Sequence, residues 1–270
     1  FWKRLSTMDK FTLGRREFIS CFSLMTLLGL SGCAMGDKRP VLRSAVETLP
    51  KELLKTLPSP WLFESLEITP HKNLFNSLLQ GSQIDLFACW DGWLGEVNPE
   101  EFMLIGGDNL FDNLNDKAKN LVRKFGDDYD KKILPIGASP WVMLFRNGEP
   151  WIEQARESWE VLLDPELKGQ IVLPNSPRLL ISLVDKIGYP NQLQQLIWQA
   201  KTFDDRYSLN WLLSGKARLA VLPLQRCVSS LIRDPRLQVA LPTQGAPLNW
   251  TLLMRPKTSK EPLPTSWVKR

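Results

Sequence analysis

Trp90-Asp91-Gly92-Trp93 sets indoles on either side of a carboxylate. That grouping can box a cation against aromatic faces or stack on a flat solute. Asn175-Ser176-Pro177-Arg178 offers a different chemistry. A proline early in a helix leaves neighbouring N–H groups open, and these suit an anion with Arg178 beside them. Gln225-Arg226, Asn249-Trp250-Thr251, Ser139 and Trp141 add further hydrogen-bonding and aromatic groups. All of this is recognition chemistry. For covalent catalysis the chain offers one histidine, His71, and no Gly-x-Ser-x-Gly serine for it to activate. Asp127-Asp128 and Asp204-Asp205 read as solvated turns rather than paired acids. No Cys-x-x-Cys or Cys/His cluster occurs, so neither a zinc site nor a cofactor is expected.

The N-terminal stretch reads as an address. Arg15-Arg16-Glu17-Phe18 resembles a twin-arginine export signal, and Leu30-Ser31-Gly32-Cys33 resembles a bacterial lipobox. The apolar run between them, Ile19 to Leu30, is shorter than the roughly 20 residues a spanning helix needs. Residues 1–32 are therefore expected to be a signal peptide. Cys33 is then the lipidated first residue of a 238-residue mature chain, and 33–40 a tether on the periplasmic or outer surface of a bacterial membrane. Removing the leader leaves 29 Lys and Arg against 27 Asp and Glu, which excludes a nucleic-acid surface. Cys89 and Cys227 remain, and two buried thiols are expected rather than a disulfide. The chain opens on Phe1, with Met8 as another start, and stops at Trp267-Val268-Lys269-Arg270.

These residues must be positioned by strands and helices. Val41–Val46, Trp61–Ile68 and Ile84–Trp90 read as strands, with helices at Lys51–Lys55 and Asn73–Gln80 between them. That alternation predicts a doubly wound α/β lobe. Leu110–Gly126 is expected to hold a helix, capped by Asn115 or Asp116 and ended by Gly126. Strands follow at Ile133–Ile136 and Trp141–Phe145, broken by Gly137-Ala138-Ser139-Pro140. A second α/β pattern holds helices at Leu193–Ala200 and Ser208–Leu213 and a strand at Ala217–Leu222. Strands at Val239–Pro242 and Trp250–Met254 close it.

Ser158 to Leu173 carries the most specific pattern: Ser158 as a cap, Trp159 and Leu162 buried, Asp164-Pro165 starting a second turn, Gly169 ending it, and Ile171–Leu173 as a strand. The string S-W-x-x-L-x-D-P-x-L-K-G-x-I-x-L resembles that of bacterial extracellular solute-binding proteins of ABC importers, the spermidine/putrescine-binding (family 1) type being closest. Leu79–Leu86, Leu134-Pro135-Ile136-Gly137, Leu213–Leu222 and Leu241–Pro247 resemble further segments of that family, in order. The resemblance implies a two-lobed α/β periplasmic-binding-protein fold (type II-like) with the ligand cleft between lobes. Lobe 1 would be 41–136, lobe 2 would be 137–241, and 242–270 would return to lobe 1, whose C-terminal part is expected to be incomplete.

The resemblance also implies five cleft loops, carrying Trp90, Asp91 and Trp93; Ser139 and Trp141; Asn175, Ser176 and Arg178; Gln225 and Arg226; and Asn249, Trp250 and Thr251. Polyamine binders of the family hold ammonium groups with carboxylates in the third and fifth loops. Here Asn175, Ser176 and Thr251 stand there, leaving Asp91 as the acid. An anionic, zwitterionic or neutral solute therefore weighs equally with a polyamine. Ferric-binding relatives use clustered tyrosines, and Tyr129, Tyr189 and Tyr207 fall outside these loops. The expected function is a monomeric, non-enzymatic solute receptor that delivers its cargo to a membrane permease. The alternatives are a degenerate binder with a structural or sensory role, and an exported hydrolase.

Overall fold

The computed structural model describes residues 39–66, 83–106, 109–188 and 192–269. Arg15, Arg16, Cys33, His71, Tyr189 and the helix expected over Asn73–Gln80 lie outside the described residues. Among those described, no helix is long and apolar enough to cross a membrane.

The first half of the chain contributes strands β1 (Val41–Ala45), β2 (Leu62–Leu66), β3 (Leu86–Trp90) and β4 (Phe102–Met103), with helices α1 (Lys51–Lys55) and α2 (Asp116–Lys124). Strand β5 (Ile133–Arg146) then leads into α3 (Ile152–Glu157), β6 (Ile171–Leu173), α4 (Pro177–Ile187), α5 (Leu193–Gln199), β7 (Ala200–Phe203), α6 (Ser208–Leu213), β8 (Leu219–Pro223), α7 (Leu224–Arg233) and β9 (Leu237–Ala240). Strand β10 (Leu248–Pro256) and α8 (Thr265–Val268) complete the order. The strands form one ten-stranded mixed sheet whose main path runs β2-β1-β3-β10-β5-β8-β6-β7.

The sheet is two half-sheets joined by β5. Its first part, Ile133–Pro140, pairs antiparallel with β10, which pairs in turn with β3. Its second part, Trp141–Arg146, pairs with β8 and β9. Each half is covered on both faces, as the period-2 pattern of its strands requires. In the first half, Phe87, Cys89, Leu252 and Met254 enter one apolar cluster while Leu86, Ala88 and Leu253 enter another. In the second half, Met143, Phe145, Leu219 and Val221 face one cluster and Val142, Leu144, Ala220 and Leu222 the opposite one.

The break expected at Gly137–Pro140 is absent, because the chain continues as a single strand. Antiparallel pairing with β10 holds Gly137 opposite Thr251 and Pro140 opposite Leu248, and the next N–H, of Trp141, donates to Pro247 O at 3.0 Å. Proline lacks an N–H and sits where the strand changes partners, so no ladder bond is lost in a sheet interior. The helix within Leu110–Gly126 begins at Asp116, where the Asn115 side chain takes the Ala118 N–H at 2.9 Å and caps it, one of the two caps expected. The segment Leu224–Cys227, expected as a loop, is the first turn of α7. Ala200 opens β7 rather than ending the preceding helix.

The Ser158–Leu173 string folds as its residues dictate. Ser158 Oγ accepts from Glu160 N at 3.0 Å and Asp164 Oδ1 from Glu166 N at 2.8 Å, while Gly169 takes a left-handed φ of 69°. Trp159 is fully buried, and its indole N–H donates to Gly245 O at 2.9 Å in the loop that returns the chain toward β10. Trp159→Ala should therefore cost about 3–5 kcal/mol, for lost apolar burial, a cavity and an orphaned carbonyl. Urea unfolding, read as a lower midpoint at unchanged slope, checks it.

Candidate functional site

The carboxyl ends of the parallel strands in both halves point at one another across the crossing of β5 and β10, the position where open α/β sheets build their sites. A cleft of about 600 Å³ lies there. The first half lends it Trp90, Asp91, Gly92, Trp93, Leu121 and Lys124, and the second half Asn175, Ser176, Pro177, Arg178, Asp205, Ser208 and Arg226. Trp141, Asn249 and Trp250 line it from the crossing strands.

Ser139, Gln225 and Thr251 are not in that lining. Ser139 Oγ accepts the Gln225 N–H at 2.9 Å and so caps α7, whose own N-cap residue, Pro223, supplies no side-chain bond. Gln225 Nε2 donates to Glu47 O at 3.2 Å and Thr48 O at 3.3 Å, reaching from the second half into the first. Thr251 Oγ1 donates to Thr48 O at 3.4 Å in a buried setting. These three act on the frame of the cleft.

Arginines from the second half span the cleft. Arg178, in the first turn of α4, pairs with Asp91, at the start of the two-turn 3₁₀ helix that follows β3, and its guanidinium lies 5.6 Å from the Phe125 ring centre. The Asp91 side chain is 4% exposed and that of Arg178 52%, so the carboxylate is sunk in the wall while the guanidinium stands in the opening. The other carboxylate oxygen of Asp91 accepts from Trp250 N at 3.2 Å. Arg226 pairs with Glu47 at 2.9 Å, donates to Arg206 O at 2.8 Å and lies 5.7 Å from the Trp90 ring centre. Glu47 itself adopts a left-handed φ of 64°, which a residue with a Cβ rarely does.

Asp205 is the functional residue that sequence reading missed. Far from being a solvated turn, it borders the cleft with Oδ1 accepting from Asn175 N at 3.0 Å. Asp204 beside it is structural, accepting from Arg206 N and Tyr207 N at 2.8 Å and from the Trp211 indole at 2.9 Å. The available signal was Thr202-Phe203 as the end of a strand parallel to β6, which puts the following pair at a carboxyl end. Assigning Ala200 to a helix hid it. Lys124, Ser208 and Glu47 carried no local signal at all.

Burial holds the carboxyls of both Asp91 and Asp205 above their ordinary range. Arg178 opposes the shift at Asp91, and the Asn175 N–H bond and Arg226 oppose it at Asp205. Cys89 and Cys227 are free, buried thiols. Burial pushes Cys89 far up and Cys227 up to about 11, so neither is a nucleophile at neutral pH. Tyr129 is tied down by donating to Leu94 O and Val97 O at 3.1 and 2.9 Å. Tyr207 is half exposed and outside the cleft lining. Among the described residues no group of three or more His, Cys, Asp or Glu could hold a metal ion. Among the described residues that line the cleft there is no histidine or cysteine.

The fold is that of the periplasmic binding proteins, a mixed α/β architecture with its cleft between two lobes. No family model and no curated protein matches the sequence. Among solved structures, the chain is similar to a spermidine/putrescine ABC transporter substrate-binding protein from Streptococcus pneumoniae, with TM-score 0.60, 17% identity, and 85% of this chain and 76% of that one covered. It is similar to a ferric binding protein from Campylobacter jejuni at TM-score 0.56 and 18% identity, covering 85% and 78%. It is also similar to the ferric ion-binding protein A of Pasteurella haemolytica at TM-score 0.61 and 13% identity, covering 86% and 78%.

The raised Asp91 carboxyl has a stability consequence. A group whose folded pKa lies above its unfolded 3.8 contributes stability that is complete below 3.8 and is lost as pH rises through the folded value. Asp91→Asn carries no such loss. Its stability relative to the native chain should therefore climb as pH rises from 3.8 through the raised folded value, and parallel denaturant titrations at rising pH read the difference directly.

Proposed function

We propose that this chain is the substrate-binding protein of an ABC importer, which captures a small polar solute in the interlobe cleft and presents it to a membrane permease. The observation that carries the reading is the cleft itself. Both half-sheets line it with their carboxyl ends, side chains from one half reach bonding partners in the other, and β5 and β10 join the halves behind it. A receptor that closes on its ligand by hinge motion needs this construction. Polyamine- and iron-binding proteins of ABC importers share the fold, which supports the class without naming the solute.

The lobes are assigned as 41–136 and 137–241, with 242–270 returning to the first. Export by the twin-arginine route, through Arg15 and Arg16, and lipid anchoring at Cys33 belong to the same reading and are supported by the two motifs in their required order. The chain works as a monomer without a cofactor or catalytic turnover.

Thermal unfolding against polyamines, amino acids, organic acids, sugars and phosphonates tests the receptor role. A true ligand at about 100 times its dissociation constant should add about 2.7 kcal/mol to stability. A cooperative transition that no solute moves would instead mark a degenerate binder with a structural or sensory role. For the anchor, Cys33→Ala expressed in a bacterial host should move the chain from the membrane fraction to the soluble one, and mass spectrometry of the native chain should find the lipid on Cys33.

A further inference from the structure

We infer that the cleft selects a small organic oxyanion, a carboxylate or phosphonate head carried on a flat or apolar body, and that Arg178, aimed by Asp91, is the residue that binds the head. This deepens the solute-receptor reading and rests on it.

Of the three carboxylates among the described residues of the lining, Asp91 and Asp205 are already engaged, and the third, Asp185, stands exposed on α4. Asp91 accepts from Arg178 through Oδ2 and from Trp250 N through Oδ1. Asp205 accepts from Asn175 N and has Arg226 nearby to lower its pKa. A cationic solute would have to take a buried carboxylate away from its arginine, leaving a guanidinium unpaired beside the incoming positive charge. The donors are in the opposite condition. Asp91 holds Arg178 by one terminal nitrogen, Nη2, while about half of the arginine side chain stays open to the cleft. A guanidinium carries five N–H donors in a rigid fork that matches an oxyanion.

Among the described residues, two buried groups on the lining also lack a partner. Ser208 is 1% exposed and borders the cleft, and its Oγ has no hydrogen-bond partner. The indole N–H of Trp90, on the same lining, has none either. Native interiors rarely leave such groups unmet: the indole N–H needs an acceptor, and the hydroxyl can donate to the same one. Asp91 behind the arginine is a positioning residue, since it fixes the fork without touching the solute.

Size and lining define the rest of the ligand. A space of about 600 Å³ falls in the range of sites for organic solutes and exceeds what a bare inorganic anion fills. Trp90, Trp93, Trp141 and Trp250 border it, offering flat apolar surface beside the charged head.

The test is calorimetric titration of the purified full chain with benzoate, phenylphosphonate, citrate, inorganic phosphate and spermidine, with tryptophan fluorescence as a second readout. Saturable binding of benzoate or phenylphosphonate is expected, with inorganic phosphate at least about tenfold weaker and spermidine without effect. Arg178→Gln should weaken the oxyanion by about 10- to 100-fold, and Arg178→Lys should recover part of the loss. Because Arg178→Gln strands a buried carboxylate, the neutral pair Asp91→Asn/Arg178→Gln is measured alongside. It should lose as much affinity as the single change while keeping a cooperative thermal transition.

Spermidine binding in place of the oxyanions, or oxyanion affinity unchanged in both Arg178 variants, would overturn the inference and leave a solute receptor standing. Phosphate binding as tightly as phenylphosphonate would overturn the organic body. A sugar or amino acid that binds while no oxyanion does would likewise overturn the oxyanion alone. A folded chain that binds none of these, nor any solute of the wider panel, would overturn the receptor reading with it.

Discussion

A strand that leaves one sheet and enters another must keep its backbone N–H and C=O groups paired at the passage, because each group left unmet in the interior costs free energy comparable to a lost hydrogen bond. Strand β5 solves this by running fourteen residues without interruption, Ile133 to Arg146, and changing partners near Pro140. The only kind of residue without an N–H stands at the change. Strand β10 returns alongside it, and its register shift between Thr251 and Leu252 absorbs the mismatch. Two separate apolar cores, each double-faced, can then grow on either side of one short crossing. The cleft is what remains between them, and its place follows from the crossing.

The same arrangement sets the electrostatics. Bringing two sheet halves together buries the strand ends, so Asp91 loses water and its ionised form becomes costly. Arg178 and the Trp250 N–H offset part of that cost. Each of those partners comes from a different part of the chain, one from the helix opening in the second half and the other from the returning strand. The ion pair between Arg226 and Glu47 repeats the pattern at the first strand's end, at a backbone position with unfavourable φ. Charge pairs therefore bridge the halves on one side of the crossing and the continuous backbone holds them on the other. At the cleft, Arg178 and Arg226 of the second half hold Asp91 and Glu47 of the first. The fold is shared with polyamine- and iron-binding proteins.

Where a residue's role depends on its neighbours in sequence, the residue order alone makes that role legible. Ser158, Asp164 and Gly169 act on N–H groups and φ angles within a few residues, so the string they belong to folds as written. The alternation in Ile84–Trp90 and Val142–Leu144 places side chains by period alone. Trp90, Asp91, Arg178 and Asn249 are placed at the cleft by the resemblance to solute-binding proteins, which sets the ligand loops at the carboxyl ends of strands.

The sequence by itself therefore determined most of the strands, the capped turns and the α/β order. Tertiary structure alone decided which residues at the strand ends line the cleft and which build its frame. Ser139 caps a helix eighty-six residues away, so Leu224–Cys227 carries no local sign of being helical. Asp205 became a cleft carboxylate only when β7 was laid parallel to β6. The Arg178–Asp91 pair, eighty-seven residues apart in sequence, depends on how closely two lobes approach. Local hydrogen bonds and periodic burial are short-range and are written in adjacent residues. Capping from another strand, desolvation and ion pairing depend on distances through space, which exist only once the halves have met.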